Sequence, residues 1–206
     1  MSEQNILIQH IGSTVAEKTI VHTKVVDSSN IIFGFIGGVG YYKGVHQMVE
    51  AFTLLPDELK KKTKLLIYGK YNDAYFNSIN KNFIKTTLDK ESIKFFGRFT
   101  PADLPKITNN IDINILPSLC ADTAPQTIFE SYSNGLPIIA PKIGGFPDFV
   151  QDGVNGLLYE KASVEELRQC MIKIIETPTL INDFSQNIPS CKTMSQNVTE
   201  LLEIYK

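Results

Sequence analysis

Ile113–Leu158, INILPSLCADTAPQTIFESYSNGLPIIAPKIGGFPDFVQDGVNGLL, carries the signals that decide the fold. Its opening residues belong to an apolar run, Ile111–Leu116, that reads as a buried strand leading to Pro117-Ser118. A helix follows over about Gln126–Ser133 and is stopped by Asn134-Gly135. Leu136–Ala140 reads as the next strand, Gly144-Gly145 as a turn, and Gly156–Tyr159 as a short strand beyond it. Asp122 and Glu130 stand eight positions apart, one beyond the first strand and one on the helix. A carboxylate at a strand's carboxyl end and another on the following helix can face one crevice, where open α/β sheets bind ligands. Ionised carboxylates only accept hydrogen bonds, so the pair suits a hydroxyl-rich ligand.

The same alternation extends outward in both directions. Ile31–Ile36 reads as a strand, followed by Gly37-Gly38-Val39-Gly40 and a helix whose Val45, Met48, Val49 and Phe52 share one face, with Pro56 past its end. Leu65–Tyr68 and Ile93–Phe96 read as strands closed by Gly69 and Gly97, with a helix near Tyr75–Leu88 between them. Ala102–Thr108 suits a short helix. Val164, Leu167, Met171 and Ile174 form one late helical stripe, and Val198, Leu201, Leu202 and Tyr205 another. Repeated strand–helix alternation predicts an α/β domain: a Rossmann-like parallel sheet with helices on both faces, over residues 31–206. Residues 1–30 fit this plan less well and read as an extension or linker with one edge strand over Thr19–Val26.

Composition excludes several classes. With 206 residues, 43% hydrophobic and 20% charged, the chain suits one soluble domain with a sizeable core. A formal charge of −2 offers no electrostatic reason for a nucleic-acid partner. The one basic run, Lys60-Lys61-Lys62, reads as a solvated helix end, with contact to an anionic surface as the alternative. Cys120, Cys170 and Cys191 match neither a disulfide framework nor a zinc pattern and point to a reducing compartment. Cys120 reads as a small apolar filler, because no histidine lies near it in sequence to activate a nucleophile. His10, His22 and His46 are too scattered to suggest a metal or a triad. No segment reaches the roughly eighteen apolar residues of a membrane span, and no signal-peptide core is present. The expectation is a cytoplasmic protein, with membrane contact through a partner left open.

Candidate chemistry lies in three places. GGVGYYKG after the first strand is a glycine-rich turn ahead of a helix, where backbone and helix N–H groups can approach a phosphate. Lys43 would set a cation beside it. The spacing matches neither the dinucleotide fingerprint nor the P-loop, so a plain turn with a solvated lysine stays open. Asp122 alone reads equally as a helix-terminal acid, and Glu130 alone as an exposed mid-helix residue.

Taken together, FGFIGGVGYYKGVHQMVEAF, LLIYG, IKFFGRF, DINILPS, Asp122 to Glu130, NGLPIIA, GGFPDFV and DGVNGLLY are specific. In order and spacing they resemble the C-terminal, donor-binding domain of GT-B glycosyltransferases of the large retaining family 4. The resemblance runs from about Ile31 to Lys206 and implies roles. Lys43 matches the lysine that binds the donor diphosphate. Gly37 and Gly38 match the turn beside the leaving phosphate and transferred sugar. Glu130 matches the acid that holds the ribose hydroxyls, and Asp122 the acid that contacts the sugar. Ala124, Pro125, Gln126 and Thr127 would line sugar and phosphates with backbone, Ser118 closes DINILPS beside them, and Ile93–Phe99 would border the base. The resemblance implies a nucleotide-diphospho-sugar (UDP-, GDP- or ADP-linked) as substrate and neither metal nor other cofactor.

Three positions depart from the family pattern. Asp122 replaces a usual glutamate and is one methylene shorter. Pro125 stands where many members have glycine and removes an N–H. Gly37 falls where an arginine is common, leaving the diphosphate charge to Lys43 and helix dipoles unless Arg98 or another cation substitutes. GT-B enzymes work between two such domains, so the resemblance implies an N-terminal partner half, in another chain or removed. The alternatives are a catalytically silent nucleotide-sugar or partner-binding module and half of a nucleotide-sugar epimerase.

Overall fold

The computed structural model describes residues 26–191 and 193–205; His10, His22 and the edge strand expected over Thr19–Val26, apart from Val26, lie outside them. Six strands form one sheet: β1 (Ile31–Ile36), β2 (Thr63–Tyr68), β3 (Ile93–Gly97), β4 (Ile113–Ile115), β5 (Ile138–Pro141) and β6 (Gly156–Tyr159). Their order is β3-β2-β1-β4-β5-β6 and every pairing is parallel, as the alternation predicts.

Strand periodicity divides the core cleanly. Ile31, Phe33 and Phe35 of β1, with Leu65 and Ile67 of β2, face one side. There they pack with Met48 and Phe52 of α1 (Val45–Thr53) and Leu167, Met171 and Ile174 of α8 (Val164–Glu176). Ile36, Leu66 and Tyr68 face the other side and meet Leu104 and Ile107 of α5 (Leu104–Asn109). Ile138 and Ala140 of β5 meet Ile128 and Tyr132 of α6 (Gln126–Tyr132) and Phe146 of α7 (Phe146–Phe149). Burial on both faces explains why the strands read as nearly continuous apolar runs.

Several local expectations need correction. The helix expected near Tyr75–Leu88 is two helices, α3 (Asp73–Asn82) and α4 (Thr87–Ser92). The break comes from a capping box in which the Thr86 hydroxyl accepts from the Asp89 N–H at 3.0 Å and the Asp89 carboxylate accepts from the Thr86 N–H at 3.0 Å. Short helices α2 (Asp57–Lys60) and α7, and the longer α9 (Thr179–Gln186), were not foreseen.

Lys60 is not part of a solvated run: it is 3% exposed and its ammonium lies 2.8 Å from Asp89, itself 2% exposed. The ammonium also donates to the Thr53 carbonyl at 2.8 Å, so the charge is both paired and hydrogen-bonded. The last helix, α10 (Met194–Ile204), forms as expected, but its stripe does not enter the core. Val198, Leu202 and Tyr205 are exposed, and the residue it buries is Asn197. No helix among the described residues is long and apolar enough to cross a membrane.

Candidate functional site

The strand order decides where a ligand can enter. The chain builds outward from β1 to β3, then returns to place β4 on the other side of β1. Loops after β1 and β4 therefore diverge and leave a crevice at the carboxyl end of the sheet. Both loops carry the candidate residues. After β1, Gly37–Gly40 leads into a single 3-10 turn, Tyr41–Lys43, and Gly44 begins α1. Gly44 has φ +67°, and a Cβ there would overlap the Pro117 carbonyl oxygen. Only glycine permits this backbone contact between the two loops. The Leu119 N–H then donates to the Tyr42 carbonyl at 2.9 Å and ties them again.

Between the loops is an open depression of about 350 Å³ lined by Tyr42, Lys43, Ser118, Cys120, Ala121, Asp122 and Thr123. Lys43 thus shares one surface with Ser118 and Asp122, which belong to a loop distant from it in sequence. The buried Ser118 hydroxyl donates to the Cys120 carbonyl at 3.1 Å and accepts from the Cys120 N–H at 3.3 Å, which shapes the turn. The Asp122 carboxylate accepts from the Ala124 N–H at 3.3 Å. Gly144 and Gly145 pack backbone to backbone beneath this loop, where a side chain at either would overlap Asp122 or Thr123. The Gly145 N–H donates to the Asp122 carbonyl at 2.8 Å. Cys120 is exposed on the rim and does not fill apolar space, contrary to its reading as a small apolar filler.

The remaining candidates flank this surface. Gly38 is exposed, and no atom of the chain lies within 4 Å of where its Cβ would stand. Its lack of a side chain is therefore not demanded by packing within the described domain. Gly37 is held by its N–H to the Tyr68 carbonyl at 3.0 Å. Pro125 is buried at the start of α6, Gln126 is exposed, and Ala124 and Thr127 are half-buried. Arg98 is exposed past β3, two strands removed from β1, and is not brought to the depression.

Glu130 is half-buried on α6 rather than exposed, and burial pushes its carboxyl above the usual range. Among the described residues its carboxylate meets no hydrogen-bond or ion-pair partner. A buried chain anchors the helix beneath it: Asn114 of β4 donates to the Ser131 hydroxyl at 2.8 Å, which donates to the Thr127 carbonyl at 2.7 Å. Sequence reasoning passed over Asn114, although a polar residue inside an apolar strand was the available signal. A second, much smaller pocket of about 20 Å³ lies at the opposite end of β4, bordered by Thr108, Asp112 and Asn134. It has room for about one water molecule and none for a nucleotide.

Comparison with known proteins bears on the family and the fold. The family model described as glycosyl transferases group 1 matches residues 17–190. An uncharacterized glycosyltransferase of Methanocaldococcus jannaschii is 26% identical over 173 residues, covering 84% of this chain and 43% of that protein. HepE of Anabaena, solved in complex with UDP and glucose, superimposes with a TM-score of 0.74 at 20% identity, over 86% of this chain and 48% of that one. The C-terminal domain of a glycosyl transferase group 1 family protein from Francisella tularensis gives a TM-score of 0.67 at 21% identity, over 83% of this chain and 86% of that one. The chain thus spans less than half the length of the first two.

Proposed function

The chain belongs to the glycosyl transferases group 1 family and has a GT-B-type fold, and from that premise we propose that it is the donor half of a retaining glycosyltransferase. It would bind a nucleotide-diphospho-sugar and pass a hexose-type sugar to a hydroxyl acceptor. The observation that carries this reading is the meeting of Lys43 and Asp122 on one open surface at the strand-order switch point. A cation and a carboxylate there can serve the two ends of a sugar diphosphate, one the phosphates and the other the sugar hydroxyls.

Glu130 supports the same reading. A half-buried carboxylate without a partner among the described residues costs stability. Ribose hydroxyls would donate to it and offset that cost. Gly38 adds open backbone where a phosphate or sugar could approach closely. In the proposed reaction the acceptor hydroxyl attacks on the face that the nucleotide leaves. Its proton passes to the departing diphosphate oxygen, and Lys43 with nearby N–H groups stabilises the developing charge. HepE was solved with UDP and glucose, which makes UDP the first nucleotide to try here. An N-terminal half would supply the acceptor side, and the uncovered apolar stripe of α10 gives such a partner a surface to meet.

Calorimetric titration of the chain with UDP, GDP and ADP tests the site. Lys43→Ala and Glu130→Ala should each weaken the preferred nucleotide about tenfold to a hundredfold, the loss of one charge-assisted contact. Unchanged affinity in both variants would remove the assignment. One observation favours a silent binding module: the Asp122 carboxylate is already engaged by the Ala124 N–H of its own loop. Sugar transfer on adding an N-terminal half separates the two readings, because the silent module would bind and not transfer.

A further inference from the structure

The turn that carries Lys43 has no anchor of its own in the core, because Tyr41, Tyr42 and Lys43 are all exposed. Main-chain bonds shape it: the Lys43 N–H donates to Gly40 at 3.1 Å and the Gly44 N–H to Tyr41 at 2.9 Å. A side-chain hold comes from outside the turn. The Tyr41 ring lies flat on the His46 imidazole, with centroids 4.8 Å apart and planes 8° from parallel. His46 stands in the first turn of α1 and is itself held by Tyr75 of α3.

The Tyr75 hydroxyl oxygen lies 3.2 Å from the His46 backbone nitrogen and 2.8 Å from His46 Nδ1. The backbone N–H can only donate, so the hydroxyl accepts there and its own proton is available for Nδ1. A hydroxyl that donates to Nδ1 needs a neutral imidazole, and its Nε2 then carries the ring proton. The surroundings favour that state. Burial pushes His46 below its usual range, with Glu50 opposing, and burial pushes the Tyr75 phenol up. The first N–H groups of a helix have no intrahelical acceptor, and Gly44 at the N-cap brings no side chain to supply one. Tyr75, from another helix, takes that role.

We infer that Tyr75 and His46 are positioning residues, which through the Tyr41 stack hold the turn that presents Lys43 to the donor diphosphate. The inference rests on the donor-site reading above and adds to it what keeps the cation in place. Tyr75→Phe removes the hydroxyl alone and leaves the ring. Hydrogen–deuterium exchange on the unliganded 206-residue chain should then quicken at Lys43, Gly44 and His46 while β1 and α8 stay protected. Unchanged exchange in the turn overturns the inference, whichever nucleotide binds.

Calorimetry with UDP, GDP and ADP supplies the second readout. For the nucleotide that the parent chain prefers, Tyr75→Phe should weaken binding about three- to tenfold, the share of one hydrogen bond. His46→Phe, which keeps a ring under Tyr41 and removes the acceptor, should behave alike. In a Lys43→Ala background Tyr75→Phe should have no further effect; an equal additional loss overturns the inference, because Tyr75 would then act on the domain generally. Lys43→Ala leaving affinity unchanged removes Lys43 from the donor site and the purpose of the brace with it. An unmoved turn in the exchange experiment sinks the brace alone.

Discussion

Glu130 is a half-buried carboxylate for which the described residues offer no hydrogen-bond or ion-pair partner. Burial raises its pKa, so the folded state holds that proton to higher pH than the unfolded chain does. Its contribution to stability is thus fully present below the ordinary glutamate range and is lost as pH rises through the raised value. Glu130→Gln should raise the melting temperature near neutral pH and flatten that pH dependence, while weakening nucleotide about tenfold or more. Melting curves across pH, with and without nucleotide, check both halves.

Lys60 and Asp89 show the opposite case. Burial alone would raise the Asp89 pKa, but hydrogen bonds from Lys60 and Thr86 outweigh it and hold it below the usual range. That stability is present above the ordinary aspartate range and is lost as pH falls through the lowered value. Lys60→Ala leaves a buried carboxylate unpaired and should cost about 3–5 kcal/mol in urea denaturation. Glu130 was legible from its spacing to Asp122. Lys60 was not, because its partner is 29 positions away and only tertiary packing brings it near.

At the scale of elements, contacts between loops matter more than propensity. Gly44→Ala places a side chain in the left-handed region and against the Pro117 carbonyl, at a cost of about 1–3 kcal/mol in backbone strain. It should also separate the Lys43 turn from the Ser118–Asp122 loop and abolish tight nucleotide binding. Thr86→Ala removes the cap of α4, costs about 1 kcal/mol, and should leave nucleotide affinity unchanged. Measuring unfolding and affinity on both variants separates a loop that builds the site from a cap that only builds the fold. The Thr86-to-Asp89 cap was visible in the sequence as a spacing, and the apolar residues on both sides masked it. The Gly44–Pro117 contact had no sequence signal, since a glycine before a helix has many ordinary uses.

The whole molecule is a sheet whose two faces are covered and whose last helix is not absorbed. Leu167 is fully buried against β-strand side chains, whereas Leu202 is 61% exposed on α10. Leu167→Ala should destabilise the chain by about 2–5 kcal/mol. Leu202→Ala should stay within about 0.5 kcal/mol, as surface substitutions do. Both helices display the same kind of apolar stripe. Periodicity reports that a helix has an apolar face, and the fold decides whether anything in the described domain covers it.

Local signals were sufficient for the six strands, most of the longer helices and the α/β class, because apolar periodicity and turn residues act over short spans of chain. They also marked Lys43, Asp122 and Glu130, whose residue types and spacings are themselves local facts. Strand order is not local. It arises when β4 returns beside β1, and that return sets Lys43 and Asp122 on one surface and leaves Arg98 two strands away. The same packing buries Lys60, exposes Cys120 and brings Tyr75 under His46. Each is a contact between distant segments, and its energy exists only once the sheet has formed.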